Sequence, residues 1–235
     1  MANAALILCA GKSTRMRGYV VDKVLTPLND RPALLYSVDA FAQSGLVDSY
    51  CFVHRDEEQR QQIEHALQQG GYGNLTTLWA EGGTERQDSV FHGLSAISLV
   101  VSHVFIHDAA RPLIYPELLQ RLLDAAIHDK AAVAAHRVTD TIKQVRATRS
   151  KTLRRRKLRD VPRDQLWAME TPQVFDRELI LEAYRVLRRD NIKVTDDTAA
   201  LEALKYGATI VENERPNYKL TTPGDVALIS HVLRG

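Results

Sequence analysis

Apolar segments alternate with amphipathic segments over residues 1–137, and this alternation restricts the possible folds more than any single motif does. The apolar segments are hydrophobic throughout, which is typical of strands buried on both faces of a parallel sheet. The amphipathic segments repeat apolar residues at helical spacing. We therefore predict an α/β fold with a Rossmann-like, mostly parallel sheet and helices on both faces. The predicted strands are 4–9, 49–54, 75–79, 103–107 and 131–136, and the predicted helices are 33–44, 57–69, 86–99 and 116–128.

The alternation stops after Arg137. Residues 138–166 contain short strand-like pieces around a stretch, 146–159, that is rich in cations and has no acid. We predict that residues 1–235 form one domain, from which 138–166 projects as a basic β-arm. Beyond the arm, the predicted elements are extended backbone at 171–173, helices at 177–188 and 197–206, a strand at 208–211, and a last helix after Pro223.

Composition and charge limit the classes of function. The chain has 235 residues, of which 45% are hydrophobic, enough for one substantial core. Its formal charge of +2 does not predict general affinity for nucleic acid. Cys9 and Cys51 lie in apolar runs and are predicted to be core residues in a reducing compartment. No apolar run has membrane-spanning length, so we predict a cytoplasmic protein with no membrane partner.

The first predicted strand ends in an Ala10-Gly11 pair, which lets the backbone approach a ligand closely. Backbone N–H groups, a nearby helix start and several cations together favour a phosphate site, and hence a nucleotide. The loop is not a Walker A motif, because Leu6 stands where that motif needs a glycine, and it lacks the three glycines of the dinucleotide fingerprint. An ordinary turn with solvated cations is the alternative. The cations are Lys12, Arg15, Arg17 and Lys23.

Two further polar loops follow predicted strands, so they belong at the same edge of a parallel sheet. Asp108 comes directly after a strand and is a candidate ligand of Mg²⁺, which prefers carboxylate and phosphate oxygens. Arg111 is predicted either to pair with Asp108 or to reach a ligand, and a purely structural turn is the alternative. In the other loop, Gly82 and Gly83 expose backbone groups that can read a base, and Ser89 adds a hydroxyl.

Helix capping competes with ligand binding as the explanation for several polar residues. Thr84 and Thr222 are both predicted helix caps. Asp196 and Asp197 offer two carboxylates at a helix start; capping explains one, and metal ligation is the competing interpretation. Lys219 is expected to return to the same sheet edge as the three loops.

Other functional classes have little support in the sequence. The eight histidines are scattered without metal-ligand spacing, and no serine has a nucleophile-elbow setting, so a hydrolase triad is not predicted. The basic stretch 146–159 suggests RNA binding, but it lacks interleaved aromatic residues for base stacking. A solvated arm is the favoured interpretation.

Seven motifs occur in one order between residues 8 and 225: A-G-K-S-T-R-M with Lys23, G-G-T-E-R-Q-D-S-V, H-D-A-A-R-P, D-T-I-K, L-W-A-M-E-T-P-Q-V-F, T-D-D-T-A-A-L-E and N-Y-K-L-T-T-P-G-D. With them the chain resembles the 2-C-methyl-D-erythritol 4-phosphate cytidylyltransferases of the non-mevalonate isoprenoid pathway. The resemblance implies a nucleotidyltransferase fold. It also implies a reaction in which CTP and methylerythritol 4-phosphate give CDP-methylerythritol and pyrophosphate. Because the attacking phosphate oxygen is already ionised, such a transfer needs no general base.

The resemblance implies roles for the residues at matching positions. In the family the arm crosses a homodimer, so Thr141 and Arg163 are expected to serve the site of the neighbouring subunit. The implied catalytic residues are Arg15, Lys23 and Lys219; the CTP-binding residues are Ala10, Gly11, Gly82, Gly83 and Ser89; the substrate-binding residues are Asp108, Arg111, Thr141, Arg163 and Thr171; and the Mg²⁺ ligands are Asp108 and Asp196.

Three positions depart from the family pattern. Ser13 replaces a second loop glycine, Asp22 stands where a proline usually precedes the lysine, and Thr84 replaces an aspartate. The nearest alternative function is a ribitol 5-phosphate cytidylyltransferase, whose relatives tend to carry D-A-V-R-P instead of D-A-A-R-P. A non-catalytic nucleotide- or RNA-binding protein is the alternative from another class.

Overall fold

A computed structural model describes residues 2–16, 18–20, 22–145 and 157–234. The strands are β1 (Ala2–Leu8), β2 (Pro27–Leu28), β3 (Arg31–Pro32), β4 (Ser49–His54), β5 (Thr77–Glu81), β6 (Val101–Asp108), β7 (Ala131–Arg137), β8 (Lys143–Val145), β9 (Leu158–Asp160), β10 (Trp167–Asp176) and β11 (Thr209–Glu212). The α-helices are α1 (Ala33–Ser44), α2 (Glu57–Gln69), α3 (Arg86–Ala96), α4 (Pro116–Asp129), α5 (Arg177–Arg189), α6 (Asp197–Leu201) and α7 (Pro223–Val232). Short 3-10 helices cover Thr14–Met16, Arg163–Gln165 and Glu202–Leu204.

One seven-stranded sheet has the order β11-β7-β10-β6-β1-β4-β5. All neighbours pair in parallel except β10, which runs antiparallel to both β6 and β7. The prediction of a mostly parallel sheet is therefore confirmed. The sequence indicated extended backbone only at 171–173 and missed β10 as a central strand. Its pairing with β7 is irregular between Met169 and Gln173, where Pro172 has no N–H to donate.

Apolar side chains fill both faces of this sheet, as predicted. Ala5 and Ile7 of β1 pack with α1, α2 and α4 on one face, and Ala4 and Leu6 pack with α3 and α5 on the other. These four residues are fully buried. Because β1 is an interior strand between β6 and β4, its carboxyl end lies among the carboxyl ends of its parallel neighbours, away from the two outermost strands of the sheet.

The predicted bounds agree with the observed ones within one residue at several elements and differ by two or more residues at others. Helices 33–44 and 57–69 have the predicted ends, and Thr222 caps α7 as predicted. The strand predicted at 75–79 lies two residues later. The helix predicted to reach 99 ends at Ala96, because Ile97 adopts an extended conformation, and the helix predicted at 197–206 tightens into a 3-10 turn after Leu201.

The predicted cap at Thr84 is wrong. Glu85 caps α3 instead, in a capping box in which Asp88 accepts the backbone N–H of Glu85 at 3.1 Å. A carboxylate at each end of the box satisfies N–H groups at a helix start. The hydroxyl of Thr84 is therefore not used for capping.

In the arm, β8 and β9 form a separate antiparallel pair whose residues are all exposed. Residues 146–156, which make up most of the predicted basic stretch, lie outside the described residues. Across the described part of the chain, no helix combines the length and apolar character needed to cross a membrane.

We expect Gly93→Ala to destabilise the protein by about 1–3 kcal/mol, the usual cost of overpacking. A Cβ atom at Gly93 of α3 would overlap the buried side chain of Leu6 and approach Val53 at 3.0 Å. Gly73→Ala is the control, because its nearest neighbour would be a Gln68 side-chain carbon at 3.6 Å. Urea denaturation measures the free energy of unfolding of both variants, and equal values would contradict the prediction.

Candidate active site at the carboxyl edge of the sheet

The polar loops that follow β1, β5 and β6 meet in one cleft of about 280 Å³. An adjoining cleft of about 150 Å³ shares Arg86, Asp108 and Lys219 with it. The convergence predicted from strand order is therefore present. Predicted residues that line the first cleft are Ala10, Gly11, Lys23, Gly83, Ser89, Asp108 and Lys219, and those that line the second include Arg111, Thr171 and Asp196.

A larger cavity, of about 990 Å³, lies between α2 and the segment that follows Val20. It is open and lined mainly by apolar atoms, and it contains none of the predicted site residues. The two smaller clefts combine backbone N–H groups, cations and carboxylates, so they are the better candidate for polar chemistry.

Close packing explains the two glycines after β5. A Cβ atom at Gly82 would lie 2.5 Å from the Cβ of Ala10, and one at Gly83 would overlap Asp88. The Ser89 hydroxyl accepts the N–H of Gly83 at 3.0 Å. This loop therefore lies directly against the end of β1, and Ser89 fixes its backbone.

The Lys23 side chain lies over Gly11 and lines the first cleft. A Cβ atom at Gly11 would contact the Lys23 side chain at 3.5 Å. Burial lowers the pKa of Lys23, and Lys219 and Arg15 lower it further, while Asp108 and Asp22 act in the opposite direction. A lysine that is partly buried among other cations is less readily protonated, and an anionic ligand beside it would stabilise the protonated form.

Asp108 is held between two cations. Its Oδ1 lies 3.4 Å from Nε of Arg86, and its Oδ2 accepts a hydrogen bond from the Lys219 amino group. Burial alone would raise the pKa of Asp108, but Arg86 and Lys219 hold it well below its usual value. The hydroxyl of Thr171 accepts the Asp108 backbone N–H at 3.0 Å, which places β10 against the cleft. Asp108 is thus an ionised acceptor at the centre of the site.

Arg86 is a site residue that the sequence analysis missed. Its guanidinium makes two hydrogen bonds, of 2.9 and 2.7 Å, to the carboxylate of Asp197, which is fully buried. Tyr184 of α5 donates its hydroxyl to the same carboxylate at 2.5 Å. Arg86 lies in the G-G-T-E-R motif at the first turn of α3, a local signal that was available, whereas nothing near Tyr184 pointed to the site.

The two adjacent carboxylates at α6 have different partners. Asp196 caps the helix by accepting the N–H of Ala199 at 3.0 Å, and its other oxygen accepts the Thr198 hydroxyl at 2.8 Å. That second oxygen also accepts from Gln173 at 3.4 Å. Capping therefore accounts for one oxygen of Asp196, and Asp197 is occupied by Arg86. Within the described ranges, no group of three or more His, Cys, Asp or Glu side chains could hold a metal ion.

Arg111 does not pair with Asp108, which was one of its two predicted roles. Its guanidinium donates to the backbone carbonyl of Asn217 at 2.6 Å and lines the second cleft. The Asn217 amide in turn donates to Glu170 at 2.9 Å and to the carbonyl of Thr171 at 3.0 Å. These contacts fasten the segment that carries Lys219 to β6 and β10.

Glu170 is a second residue that the sequence analysis missed. Its carboxylate is buried and accepts from Asn213 and Asn217, both at 2.9 Å, and contacts Nδ1 of His136 at 2.7 Å. His107, the residue before Asp108, has a different environment, since burial lowers its pKa to about 3 and keeps it neutral. Neither histidine is placed as a catalytic acid or base in the two clefts.

Four predicted residues line neither cleft in this chain, and one of them is Gly82, which packs against Ala10. Arg15 lies on the 3-10 helix Thr14–Met16 with an exposed side chain. Arg163 donates to the carbonyl of Thr139 at 2.7 Å at the base of the arm, and Thr141 is exposed near β8. The tertiary structure therefore separates the two arm residues from the cleft of their own chain.

The chain matches the family model described as IspD, 2-C-methyl-D-erythritol 4-phosphate cytidylyltransferase, over residues 3–235. Curated relatives of that name from Caldanaerobacter subterraneus and Shouchella clausii are each 35% identical to it. The first alignment covers 98% of both chains, and the second covers 100% of this chain and 97% of the relative.

Two solved structures extend this similarity to the fold. A 4-diphosphocytidyl-2C-methyl-D-erythritol synthase from Anaerococcus prevotii superposes with a TM-score of 0.84 at 25% identity, covering 100% of this chain and 99% of that one. A 2-C-methyl-D-erythritol 4-phosphate cytidylyltransferase from Thermus thermophilus superposes with a TM-score of 0.78 at 28% identity, with full coverage of both chains. The structural similarity thus covers nearly the full length of both chains in each comparison.

We expect Arg86→Leu to lower the free energy of unfolding by about 3 kcal/mol, because it leaves the buried Asp197 carboxylate without its cation. The double variant Arg86→Leu/Asp197→Asn should recover part of this loss, since a neutral amide can still accept the Tyr184 hydroxyl. Chemical denaturation with far-UV circular dichroism measures both. A double variant less stable than the single one would contradict this account.

Proposed function

The chain belongs to the 2-C-methyl-D-erythritol 4-phosphate cytidylyltransferase family, and from this premise we propose that it transfers the cytidylyl group of CTP to methylerythritol 4-phosphate. The observation that carries the proposal is the meeting of Lys23, Asp108 and Lys219 in one cleft beside the glycine loop. Cations around a single ionised carboxylate suit a polyphosphate and a divalent ion together.

In the proposed step, a phosphate oxygen of methylerythritol 4-phosphate attacks the α-phosphorus of CTP. A new P–O bond forms, the bond from the α-phosphorus to the bridging oxygen breaks, and pyrophosphate leaves. The nucleophile is already ionised, so no base removes a proton, which agrees with the neutral, buried state of His107. Catalysis then consists of in-line positioning and neutralisation of charge by Lys23, Arg15 and Lys219.

The residues present fit a Mg²⁺ ion that is bound mainly by substrate phosphates. Asp108 is ionised and faces the first cleft, and Asp196 lies in the adjoining one. Mg²⁺ is commonly held by one or two carboxylates together with phosphate oxygens. When bound, the ion would neutralise charge on the triphosphate. Asp108 would hold it, with Asp196 as the second candidate ligand.

The glycine loop suits the cytidine part of CTP. Gly82 packs against Ala10 and Gly83 packs against Asp88, with no room for a side chain at either position, and Gly83 lines the first cleft. We assign recognition of ribose and cytosine to this loop together with Gly11 and Ser89. Arg111 and Thr171, which lie in the second cleft, would bind the sugar phosphate.

Thr141 and Arg163 would complete the second cleft from another subunit. Both lie away from the cleft of their own chain, and the arm presents exposed apolar residues such as Val145 and Leu158. Exposed apolar side chains on a two-stranded arm favour burial against a partner. The proposed assembly is a homodimer in the cytoplasm.

Pyrophosphate release with Mg²⁺ tests the proposed reaction. We expect release with CTP and methylerythritol 4-phosphate, and much slower release with ATP, GTP or UTP. Faster turnover of ribitol 5-phosphate would overturn the choice of substrate. If neither polyol phosphate gives release with CTP, the enzymatic function is wrong.

Mixed subunits test the contribution of the arm. Lys23→Ala and Arg163→Ala proteins should each lose activity about 100-fold or more, with a measurable remainder, because each lacks one part of every site. Random reassortment would give about one quarter of wild-type activity, since half of the dimers would be mixed and each would hold one intact site. Arg185→Ala on the surface of α5 is the matched control and should remain active. No recovery after denaturation and refolding of the mixture would show that the arm acts within its own chain.

A further inference from the structure

A buried glutamine lies behind the loop that carries Lys23. Gln59 is in the first turn of α2 and is fully buried. Its amide nitrogen donates to the backbone carbonyl of Cys9 at 3.1 Å and to the carboxylate of Asp22, while its amide oxygen accepts the N–H of Arg55 at 2.6 Å. The opposite orientation of the amide would place oxygen against two oxygen acceptors, so these contacts fix how Gln59 sits.

Asp22, the residue before Lys23, is the second part of this arrangement. Its side chain is 5% exposed. One oxygen accepts the N–H of Val24 at 3.0 Å, and the other accepts from Gln59 and from Arg55, the latter at 3.3 Å. The carboxylate thus holds the backbone on the far side of Lys23 and ties that backbone to α2.

Ser13 holds Lys23 from the opposite side. Its hydroxyl accepts the N–H of Lys23 at 3.2 Å. Ser13 has a φ of 52°, a left-handed conformation that glycine adopts more easily than serine does. The hydrogen bond offsets part of that cost, because a glycine at this position would offer no acceptor for Lys23.

These contacts connect the end of β1, the start of α2 and the catalytic lysine. Gln59 bridges Cys9, which precedes the Ala10-Gly11 turn, to Asp22, which precedes Lys23. The Lys23 side chain lies over Gly11. Gln59 therefore links the backbone before Lys23 to the glycine turn, and its side chain lines neither cleft.

We infer that Gln59 and Asp22 are positioning residues, which set the place of the Lys23 amino group for the transfer step. The inference rests on the proposed function, since it assigns them through the role of Lys23. A lysine that stabilises charge mainly in the transition state loses that effect when it is displaced by a fraction of an ångström. Loss of the pair should therefore lower kcat more than it raises KM for either substrate.

Two variants test the inference. Gln59→Leu removes all three amide contacts and should lower kcat about tenfold or more with KM changed less than about threefold. Asp22→Asn keeps the shape and one acceptor oxygen and should lose less. In a Lys23→Ala background, Gln59→Leu should have little further effect, because residues that act through one another are not additive.

Asn3→Leu is the matched control for the removal of a buried amide. Asn3 lies at the amino end of β1, away from the site, and donates to the carbonyl of Leu46 at 2.9 Å. It should lower the thermal midpoint while kcat stays at the wild-type value. If Gln59→Leu does not fold, Asp22→Asn decides through the same split between kcat and KM.

The outcomes separate the two proposals. If the wild-type protein is active and both variants keep its kcat, this inference is overturned and the proposed function stands. A Gln59→Leu effect that is equally large in the Lys23→Ala background also overturns it, because the residue then acts independently of the lysine. An inactive wild-type protein overturns the inference and the function together.

Discussion

The carboxylate of Asp108 connects three segments that are far apart in the chain. It belongs to the end of β6, Arg86 belongs to the first turn of α3, and Lys219 belongs to the segment before α7. In a partly buried place each of these charges would be costly alone, so the three stay together as a balanced group. This group holds α3, the end of β6 and the segment before α7 together around the cleft. Asp197, which pairs with Arg86, adds the start of α6.

The departures from the family pattern have local compensations. Ser13 accepts a less favourable backbone conformation and supplies an acceptor to Lys23. Asp22 introduces a charge beside Lys23, but Gln59 and Arg55 satisfy its carboxylate. Thr84 is not needed as a helix cap because Glu85 and Asp88 form the capping box. Each departure thus has its own hydrogen-bond partners or a neighbouring residue in its place.

Much of the fold could be predicted because the strong signals are local. The helices 33–44 and 57–69 were predicted with their observed ends, since apolar spacing and end signals lie within the segments themselves. Strand β10 was missed because its central residues, E-T-P-Q, are polar or lack an N–H. It is a strand because β6 and β7 lie on both sides of it, and the sequence around Pro172 does not contain that information.

The sequence by itself determined where the glycine-rich and cationic loops fall and that they share one sheet edge, because parallel strands with buried faces leave their carboxyl ends together. It also carried the motifs of the family. Only the tertiary structure decided which charges pair. Asp108 binds Arg86 and Lys219 instead of Arg111, and Asp197 is engaged by Arg86 while Asp196 caps a helix. The charge pairs join residues that are 22 to 111 positions apart in the chain, and the distances between them are set by the packing of the whole sheet.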